Sequence, residues 1–586
     1  MGPRKFTTLS TDLKGELPKA SFDDTINTET VAGQCVAYLS DLSLDHVLAD
    51  SLWKDNVCLT GSSRTFHTSK AIVTAWKELE HERNPTDFQP NLSTAHVFRL
   101  GPKPAWVTVG FTFRTTALPK CQCSGSLNAV PDSDGKWKIF SLTTILESIE
   151  GYTNPDTPPE APANKATDGV LDCLVVGAGA AGLGLGGRLQ SLGLRYLVVD
   201  KQDEIGDNWA KRYDSAKLHL SNSYSDLPYE RFLDYSKYYP TKNDLVRAYR
   251  SFAKRWDMNT RMSTAVEAAT WDAANKTWIV TVKTAGRIED LKARHLVMAT
   301  GGGNDKAYIP ELADRDRYKG IVTHMVNWKN AEIFQGKRGI IVGCGNSAFD
   351  MMEDMINAGL SSVTMIQRAT TRVCATEHFM ALTDPMYNQH SDLGVADRMF
   401  MTGPYQHGRL MIIEMVKHFI AQEPGRYDKL RAAGFLADQD PDIMAGPMER
   451  FGGHYLDIGQ TKFIEDGRVK VKSGSAPAAY TEKGLILENG NEVEADVIAF
   501  ATGFTCSMKQ STTEIVGKEI GDQLEDFWGF DPEGEVLGLA KPLRHPHIWY
   551  FGGGTAQARF TSRFLAMQIL AEVEGIPFKP YTRRFD

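Results

Sequence analysis

The sequence has no CxxC pair and no group of cysteines with the spacing of a zinc site. Its eight cysteines, which run from Cys35 to Cys506, are scattered along the chain and predict reduced thiols without a structural metal. The sequence also lacks any run of about 18 consecutive apolar residues, the length of a membrane span, and its first residues lack the apolar core of a signal peptide. These absences predict a cytoplasmic protein with no membrane span.

An excess of charge of one sign is missing as well. The 586 residues include 65 lysines and arginines against 73 aspartates and glutamates, a net charge of −8. This balance argues against a surface that tracks phosphate backbones, so we expect no nucleic acid partner. Hydrophobic residues make up 42% of the chain, which is typical of a globular protein, and the length predicts several domains of roughly 150 residues each.

A proline-rich segment at 151–169, GYTNPDTPPEAPANKATDG, divides the chain. It has four prolines and no apolar periodicity, so it predicts a semi-rigid linker that is exposed and short of backbone partners. Upstream of it, apolar spacing predicts helices at 28–52 and 70–83.

The rest of the N-terminal part alternates between apolar and polar residues. This pattern predicts strands at 105–116, 122–130 and 136–146, and helices followed by a paired sheet favour an α+β cone. The element order and the run WKIFSLTTILE resemble the SnoaL-like domains. The resemblance carries no chemistry by itself. Four histidines are candidate catalytic groups: His46, His67, His81 and His96. None forms a His/Asp pair at a spacing that indicates catalysis, so we favour a structural or interaction role for this domain.

A strand-turn-helix pattern follows the linker. The run CLVVGAGAAG places Gly177, Gly179 and Gly182 between a hydrophobic strand and a helix, which is the pattern of a pyrophosphate-binding turn. The next predicted strand ends in Asp200, where a carboxylate can accept from ribose hydroxyls.

A second copy of the pattern occurs in RGIIVGCGNSAFD. Gly343 and Gly345 take the first two glycine positions, and Ser347 adds a hydroxyl within reach of a phosphate. The strand that follows ends in Arg368 instead of an acid, and a guanidinium there would bind a 2′-phosphate. The second site is therefore predicted to prefer NADPH, although a solvated arginine at a strand end is the alternative.

Two dinucleotide sites in one chain imply that a nicotinamide delivers hydride to a second bound cofactor, for which FAD fits best. Two ATG turns, at Thr300 and Thr502, support this by marking chain crossings, and we expect both threonines to contact cofactor. The predicted fold class is α/β, with two Rossmann-like domains after the cone. The expected domains are 1–150 for the SnoaL-like domain, 151–169 for the linker, 170–315 and 491–586 for FAD, and 316–490 for NADPH with a helical insertion at about 375–450.

At 170–586 the sequence resembles the class B flavin-dependent monooxygenases. The run IGDNWAKRYDSAKLHL is similar to the family segment that follows the second strand of the FAD domain. The similarity implies that Asn208 and Trp209 bind cofactor, although only one of the family's two usual glycines is present. The stretch from Tyr318 to Trp328 resembles the family's identifier motif, with Tyr318 in place of Phe. GGHYLDIG and FATGF are similar to fungal and plant, auxin-type members.

The resemblance implies the activity and the partners. NADPH would reduce FAD, oxygen would add to form a C4a-(hydro)peroxyflavin, and a small organic substrate would be oxygenated at N or S or hydroxylated. The implied partners are that substrate and molecular oxygen, and a homodimer is an open option.

The resemblance also suggests Asn222 as the active-site asparagine, with an amide that could donate to the oxygen adduct while accepting from a cofactor. A turn asparagine is the alternative. For His324 we favour a structural role, and the apolar stripe in the insertion favours packing over substrate recognition.

Three competing functions are weighed. Baeyer–Villiger insertion next to a ketone is the nearest competing function. In the identifier motif, Trp328 is similar to the Baeyer–Villiger enzymes, whereas Lys329 favours the flavin-containing branch. A disulfide reductase would need a CxxC pair. A non-catalytic flavoprotein or assembly module is the third, and the intact glycines at both sites argue against it.

Overall fold

The computed structural model describes residues 8–22, 25–101, 103–165, 169–301, 306–450, 452–505 and 507–585. Residues 166–168 of the predicted linker and Cys506 lie outside this set. Three sheets of five or more strands and their helices form a mixed α/β fold. In the described part of the chain, no helix has the length and apolar character needed to cross a membrane.

The N-terminal part is a six-stranded sheet with two helices against it. Its elements are α1 (Thr28–Ala37), β1 (Val47–Asn56), β2 (Ser63–His67), α2 (Ser69–Arg83), β3 (Pro85–Arg99), β4 (Ala105–Thr115), β5 (Cys121–Pro131) and β6 (Trp137–Ile149). The strand order is β2-β1-β6-β5-β4-β3, and every pair is antiparallel except β1 with β6. The predicted strands and the second helix match this arrangement, while the SnoaL-like identity stays a prediction.

The first predicted helix is shorter than expected. It ends at Ala37, two short 3₁₀ turns follow, and residues 47–52 belong to β1. Ser40, Asp41 and Ser43 in this stretch have side chains that compete with helical backbone bonds. The apolar residues that suggested a longer helix, Leu39 and Leu42, are buried in the turns.

The first dinucleotide fold follows. Its elements are β7 (Val170–Val176), α3 (Ala180–Ser191), β8 (Tyr196–Val199), α4 (Asp207–Ala210), α5 (Asn222–Ser225), α6 (Lys242–Arg255), β9 (Thr260–Arg261), β10 (Thr264–Asp272), β11 (Thr277–Thr284) and β12 (Arg287–Met298). The strand order is β10-β11-β12-β7-β8-β9, with β7, β8 and β9 parallel to one another. Parallel β7 and β8 joined by α3 form the predicted Rossmann-like unit.

The second dinucleotide fold is a five-stranded parallel sheet. Its first elements are β13 (Ile321–His324), β14 (Arg338–Val342), α7 (Asn346–Asn357) and β15 (Ser362–Gln367). The predicted insertion then adds a small sheet as well as helices: β16 (Thr371–Ala375), α8 (Thr376–Thr383), α9 (Leu393–Met401), α10 (Tyr405–Gln422), α11 (Asp428–Ala432), β17 (Ala437–Asp438), α12 (Ala445–Arg450) and β18 (His454–Asp457).

The chain then completes both folds. The remaining elements are α13 (Lys462–Glu465), β19 (Val469–Ser473), β20 (Pro477–Tyr480), β21 (Gly484–Leu487), β22 (Glu492–Glu494), β23 (Val497–Phe500), α14 (Met508–Val516), α15 (Lys518–Gly521), β24 (Ile548–Tyr550) and α16 (Thr555–Val573). The second sheet has the order β13-β23-β14-β15-β19. Strand β23 therefore belongs to the second fold, although it lies beyond the boundary predicted at 490. As predicted, β24 and α16 return to the first fold, where β24 pairs with β12.

The described part of the linker is mostly exposed, but several of its carbonyls have partners, contrary to the expectation that it is short of them. The carbonyl of Pro155 accepts from Arg188, Ser191 donates to the carbonyl of Thr157, and the carbonyl of Ala161 accepts from Gln190, at 2.5–2.8 Å. All three partners lie on α3. The described part of the linker is therefore bound along the first dinucleotide fold.

Buried and half-buried charges join the N-terminal sheet to the rest of the protein. Glu147 of β6 pairs with Arg398 of α9 at 2.5 Å and with Arg563 of α16 at 2.6 Å. Asp156 of the linker pairs with Arg188 at 2.6 Å and with Arg398 at 2.8 Å. The cluster of these five residues connects the N-terminal sheet, the linker, the first dinucleotide fold and the insertion.

Candidate functional site: two dinucleotide turns

The first glycine of each fingerprint is fixed by its own sheet. Gly177 has a φ of 112°, and a Cβ there would lie 2.4 Å from the carbonyl oxygen of Ala299. Gly343 has a φ of 121°, and its Cβ would lie 2.5 Å from the carbonyl oxygen of Ala501. In both sheets the ATG turn therefore presses against the turn of the fingerprint, which only glycine accommodates.

The second glycine of each fingerprint faces open space. A Cβ at Gly179 would have only Asn208 Nδ2 near it, at 3.9 Å, and a Cβ at Gly345 would have the carbonyl oxygen of His454 at 3.7 Å. The third position is packed instead, because a Cβ at Gly182 would lie 1.8 Å from the carbonyl oxygen of Gly177. The room beside Gly179 and Gly345 is the cradle that a pyrophosphate requires at a helix N-terminus.

The acid and the base predicted to distinguish the two sites lie at strand ends. Asp200 follows β8, and its two carboxylate oxygens accept from the backbone of Ala178 at 2.7 Å and of Gln202 at 2.9 Å. Their remaining lone pairs leave room for hydroxyl donors. Arg368 follows β15 and is exposed, with no ion pair to any residue that the structure describes.

The two ATG threonines differ. Thr300 Oγ1 is buried and has no hydrogen-bond partner among the described residues. Thr502 donates its hydroxyl to the carbonyl oxygen of Tyr308, so it ties the end of β23 to the segment that enters the second fold. The hydroxyl of Thr300 is therefore available to bind a cofactor. The hydroxyl of Thr502 is already used in a structural hydrogen bond.

Asn208 and Trp209 lie on α4, beside the first glycine turn. The guanidinium of Arg212 lies 5.1 Å from the centre of the Trp209 ring. Burial raises the pKa of Tyr249 to about 12, and hydrogen bonding from Thr555 and Trp209 opposes that rise. Thr555 begins α16, so a second helix N-terminus approaches this site. Sequence reasoning missed Thr555, although three glycines before a helix were visible.

Asn222 is buried at the start of α5. Its Nδ2 donates to the carbonyl oxygens of Asp234 at 2.5 Å and Lys237 at 2.6 Å. Its Oδ1 is buried and has no partner within the described ranges. Both amide hydrogens are therefore used inside the loop, and the group left for a ligand is an acceptor rather than the predicted donor. A catalytic role for Asn222 stays a prediction.

The segment at 213–219 of the first fold lies against α7 of the second. Tyr213 donates to Asp350 at 2.8 Å, and His219 Nε2 lies 3.2 Å from the other oxygen of that carboxylate. Further along, burial raises the pKa of Asp354 to about 6, and the hydrogen bond from Trp328 opposes that rise. Tyr213 and His219 thus contact the same carboxylate of α7. This interface was not predicted, because its two parts lie far apart in sequence.

The identifier stretch has structural contacts. Tyr318 donates to the carbonyl oxygen of Ala495 at 3.0 Å, and Trp328 donates to Asp354 at 3.1 Å. His324 is buried, which lowers its pKa, and its ring packs 6.2 Å from that of Phe504. His324 Nδ1 accepts from the backbone N–H of Val326 at 3.3 Å, whereas its buried Nε2 has no partner among the described residues, so the structural role favoured for His324 stays a prediction.

Within the described residues one group has the composition of a metal site, formed by His295, His547 and Glu572. The indole N–H of Trp549 donates to His295 Nδ1 at 3.2 Å, so the proton of the neutral ring is on Nε2, the atom that faces Glu572. A metal ligand needs that nitrogen free. Burial lowers the pKa of His295 to about 4, which keeps the ring neutral. This geometry opposes metal binding.

Comparisons with known proteins agree with this arrangement. A family model described as pyridine nucleotide-disulphide oxidoreductase matches residues 174–398. A probable indole-3-pyruvate monooxygenase, YUCCA9 of Arabidopsis thaliana, is 30% identical over 338 residues, covering 56% of this chain and 74% of the relative. The chain belongs to the class B flavin-containing monooxygenases. An indole-3-pyruvate monooxygenase of Oryza sativa subsp. indica, YUCCA8, is 28% identical over 56% of this chain and 75% of its own.

Solved structures of flavin monooxygenases are also similar to the chain. A flavin-containing monooxygenase from Stenotrophomonas maltophilia has a TM-score of 0.47 and 16% identity, covering 69% of this chain and 99% of that one. Cyclohexanone monooxygenase from Rhodococcus sp. Phi1 bound to NADP⁺ has a TM-score of 0.49 and 17% identity, covering 70% and 85%.

As a class B flavin-containing monooxygenase, this protein is an enzyme that uses FAD and NADPH. The non-catalytic alternative is thereby set aside. The disulfide-reductase alternative lacks its CxxC pair. The residues fit both cofactors, because open cradles lie beside Gly179 and Gly345 and the buried hydroxyl of Thr300 lacks a protein partner in the described chain.

Proposed function

We propose that this monooxygenase oxygenates a small organic substrate at N or S or by hydroxylation, with FAD at the first glycine turn and NADPH at the second. The pair of open cradles, each next to a parallel strand pair of a separate sheet, supports this most directly. Bound FAD, once reduced by NADPH, would supply the oxygen activation. The flavin–oxygen adduct inferred from the resemblance stays a prediction.

The residues of the chain would bind and orient the two nucleotides. Asp200 would accept from ribose hydroxyls with the lone pairs left by Ala178 and Gln202. Arg368, exposed at the end of β15, would pair with the 2′-phosphate of NADPH. The dipole at the N-terminus of α7 would add to the attraction for phosphate.

Two reaction types are candidates: the proposed oxygenation at N or S or by hydroxylation, and Baeyer–Villiger insertion next to a ketone. The relatives are named for indole-3-pyruvate, which carries a ketone beside a carboxylate. A carbonyl substrate keeps Baeyer–Villiger insertion as the second candidate, in line with Trp328 in the identifier stretch. Indole-3-pyruvate is therefore the first compound to test, followed by a simple ketone and a thioether.

The N-terminal sheet has a structural or interaction role in this proposal. Its charged contacts through Glu147 hold it to α9 of the insertion and to α16 of the first dinucleotide fold. Those contacts give it a role in stability that needs no chemistry of its own.

The test is oxygen consumption by purified, flavin-loaded protein with NADPH and each compound in turn. We expect NADPH oxidation with one oxygen atom recovered in the product, measured by mass spectrometry after turnover in ¹⁸O₂. NADPH oxidation that yields only hydrogen peroxide with all three compounds would argue against each of these substrate classes. Failure to oxidise NADPH at all would contradict the cofactor assignment.

A further inference from the structure

His219 is buried at the contact between the two dinucleotide folds. Its side chain is 2% exposed, as is that of Asp350, its partner on α7. Three donors converge on this carboxylate: Tyr213 at 2.8 Å, His219 Nε2 at 3.2 Å and Gln460 at 3.3 Å. Because an ionised carboxylate only accepts, this arrangement places a proton on His219 Nε2.

The other ring nitrogen of His219 has no partner. Nδ1 is buried and makes no hydrogen bond to any residue that the structure describes. A buried polar atom without a partner costs free energy, so it indicates a water or a ligand that completes the site. In the tautomer whose proton is on Nε2, Nδ1 is the acceptor and needs a donor.

The surroundings of His219 belong to the second glycine turn. The Tyr213 hydroxyl that donates to Asp350 also lies 3.4 Å from Ser347 Oγ, in the first turn of α7. Asp350, the partner of His219, lies on the same helix as Ser347, and this helix begins directly after Gly345.

We propose that His219 is a nucleotide-binding residue, whose Nδ1 accepts a hydrogen bond from NADPH bound at the Gly343–Ser347 turn. Asp350 is its positioning residue, because the carboxylate fixes both the ring orientation and the nitrogen that carries the proton. NADPH offers suitable donors in its ribose hydroxyls and its carboxamide. The inference rests on the proposed assignment of this turn to NADPH.

Two substitutions at this position separate the two ring nitrogens. In His219→Gln the side-chain amide can still donate to Asp350, but nothing replaces Nδ1. In His219→Asn the shorter amide offers an acceptor near the position of Nδ1 and loses the contact with Asp350. The measurement is the NADP⁺ dissociation constant of the oxidised, FAD-loaded protein by calorimetry, together with flavin content and melting temperature.

We expect His219→Gln to raise the NADP⁺ dissociation constant about three- to tenfold, the effect of one hydrogen bond, with flavin content and melting temperature unchanged. His219→Asn should melt at a lower temperature yet bind NADP⁺ more tightly than the Gln variant does.

Two results would overturn the inference. One is a Gln variant that binds NADP⁺ as tightly as the unmodified protein, since Nδ1 would then be bonded to water alone. The other is a parallel loss of affinity and flavin in both variants, which would mean a purely structural histidine. If the unmodified protein itself fails to bind NADP⁺, the proposed function fails instead.

Discussion

Replacing Glu147 by Gln tests the attachment of the N-terminal sheet. The carboxylate is 16% exposed and pairs with Arg563 at 2.6 Å and Arg398 at 2.5 Å. Burial alone would raise its pKa, but the two arginines outweigh burial and hold the pKa at about 2. With about 1.36 kcal/mol for each tenfold change in proton affinity, this pairing stabilises the fold by about 3 kcal/mol. Breaking a buried pair costs a similar amount, about 3–5 kcal/mol.

The pH dependence follows from the sign of that shift. A carboxylate with a lowered pKa stabilises the folded state fully above its unfolded value of 4.5, and the contribution is lost as the pH falls toward 2. We therefore expect Glu147→Gln to lower the free energy of unfolding by about 3 kcal/mol at pH 7, measured by urea denaturation. The difference from the unmodified protein should shrink as the pH falls below about 4.5.

The matched control is Glu150→Gln in the same domain. Glu150 accepts from Gln122 at 3.0 Å and has no arginine partner among the residues described. It should lose less than about 1 kcal/mol, as exposed polar groups do. Equal stability of Glu147→Gln and the unmodified protein, or an equal loss in the control, would refute the attachment by buried charge.

Four further predictions concern the sites. Gly179→Val should abolish FAD binding without unfolding, measured by flavin absorbance and circular dichroism, because only Asn208 Nδ2 approaches the added Cβ, at 3.9 Å; full flavin content would contradict the cradle. Arg368→Ala should weaken NADPH binding by about ten- to a hundredfold and leave NADH nearly unaffected in steady-state kinetics, with equal losses counting against it. Asn222→Ala should leave flavin reduction near normal in stopped flow and increase release of hydrogen peroxide, whereas slow reduction with unchanged coupling would contradict a role after reduction. Asp354→Asn should raise the free energy of unfolding at pH 8 by about 3 kcal/mol in urea, because a pKa raised from 3.8 to about 6 makes ionisation of the folded acid costly. The gain should vanish below pH 4, and a gain that persists there would contradict the cause.

The cofactor turns could be predicted because their pattern is local. Gly177 and Gly182 contact each other within one strand-turn-helix unit, so this part of the constraint is local, whereas the contact of Gly177 with Ala299 is not. The end of β8 at Asp200 is similarly local. The open space at Gly179 and Gly345 agrees with what such a pattern predicts.

Other features depend on pairs of residues that are distant in sequence. Strand β3 was missed because it begins with a proline and has a mostly exposed face, so it lacks the alternation of a half-buried strand. The docked linker depends on carbonyls that find Arg188 and Gln190, and no compositional rule indicates such partners. His219 and Asp350 are 131 positions apart and meet only after both folds form.

The most direct test of the account is to reduce the purified protein anaerobically with NADPH and then mix it with oxygen in a stopped-flow spectrometer. We expect NADPH to reduce the bound flavin stoichiometrically, and the reduced flavin to return to its oxidised spectrum through a distinct flavin–oxygen adduct. A single-step return with one hydrogen peroxide released per flavin, or no reduction by NADPH, would contradict the proposal that this protein is an oxygenating enzyme.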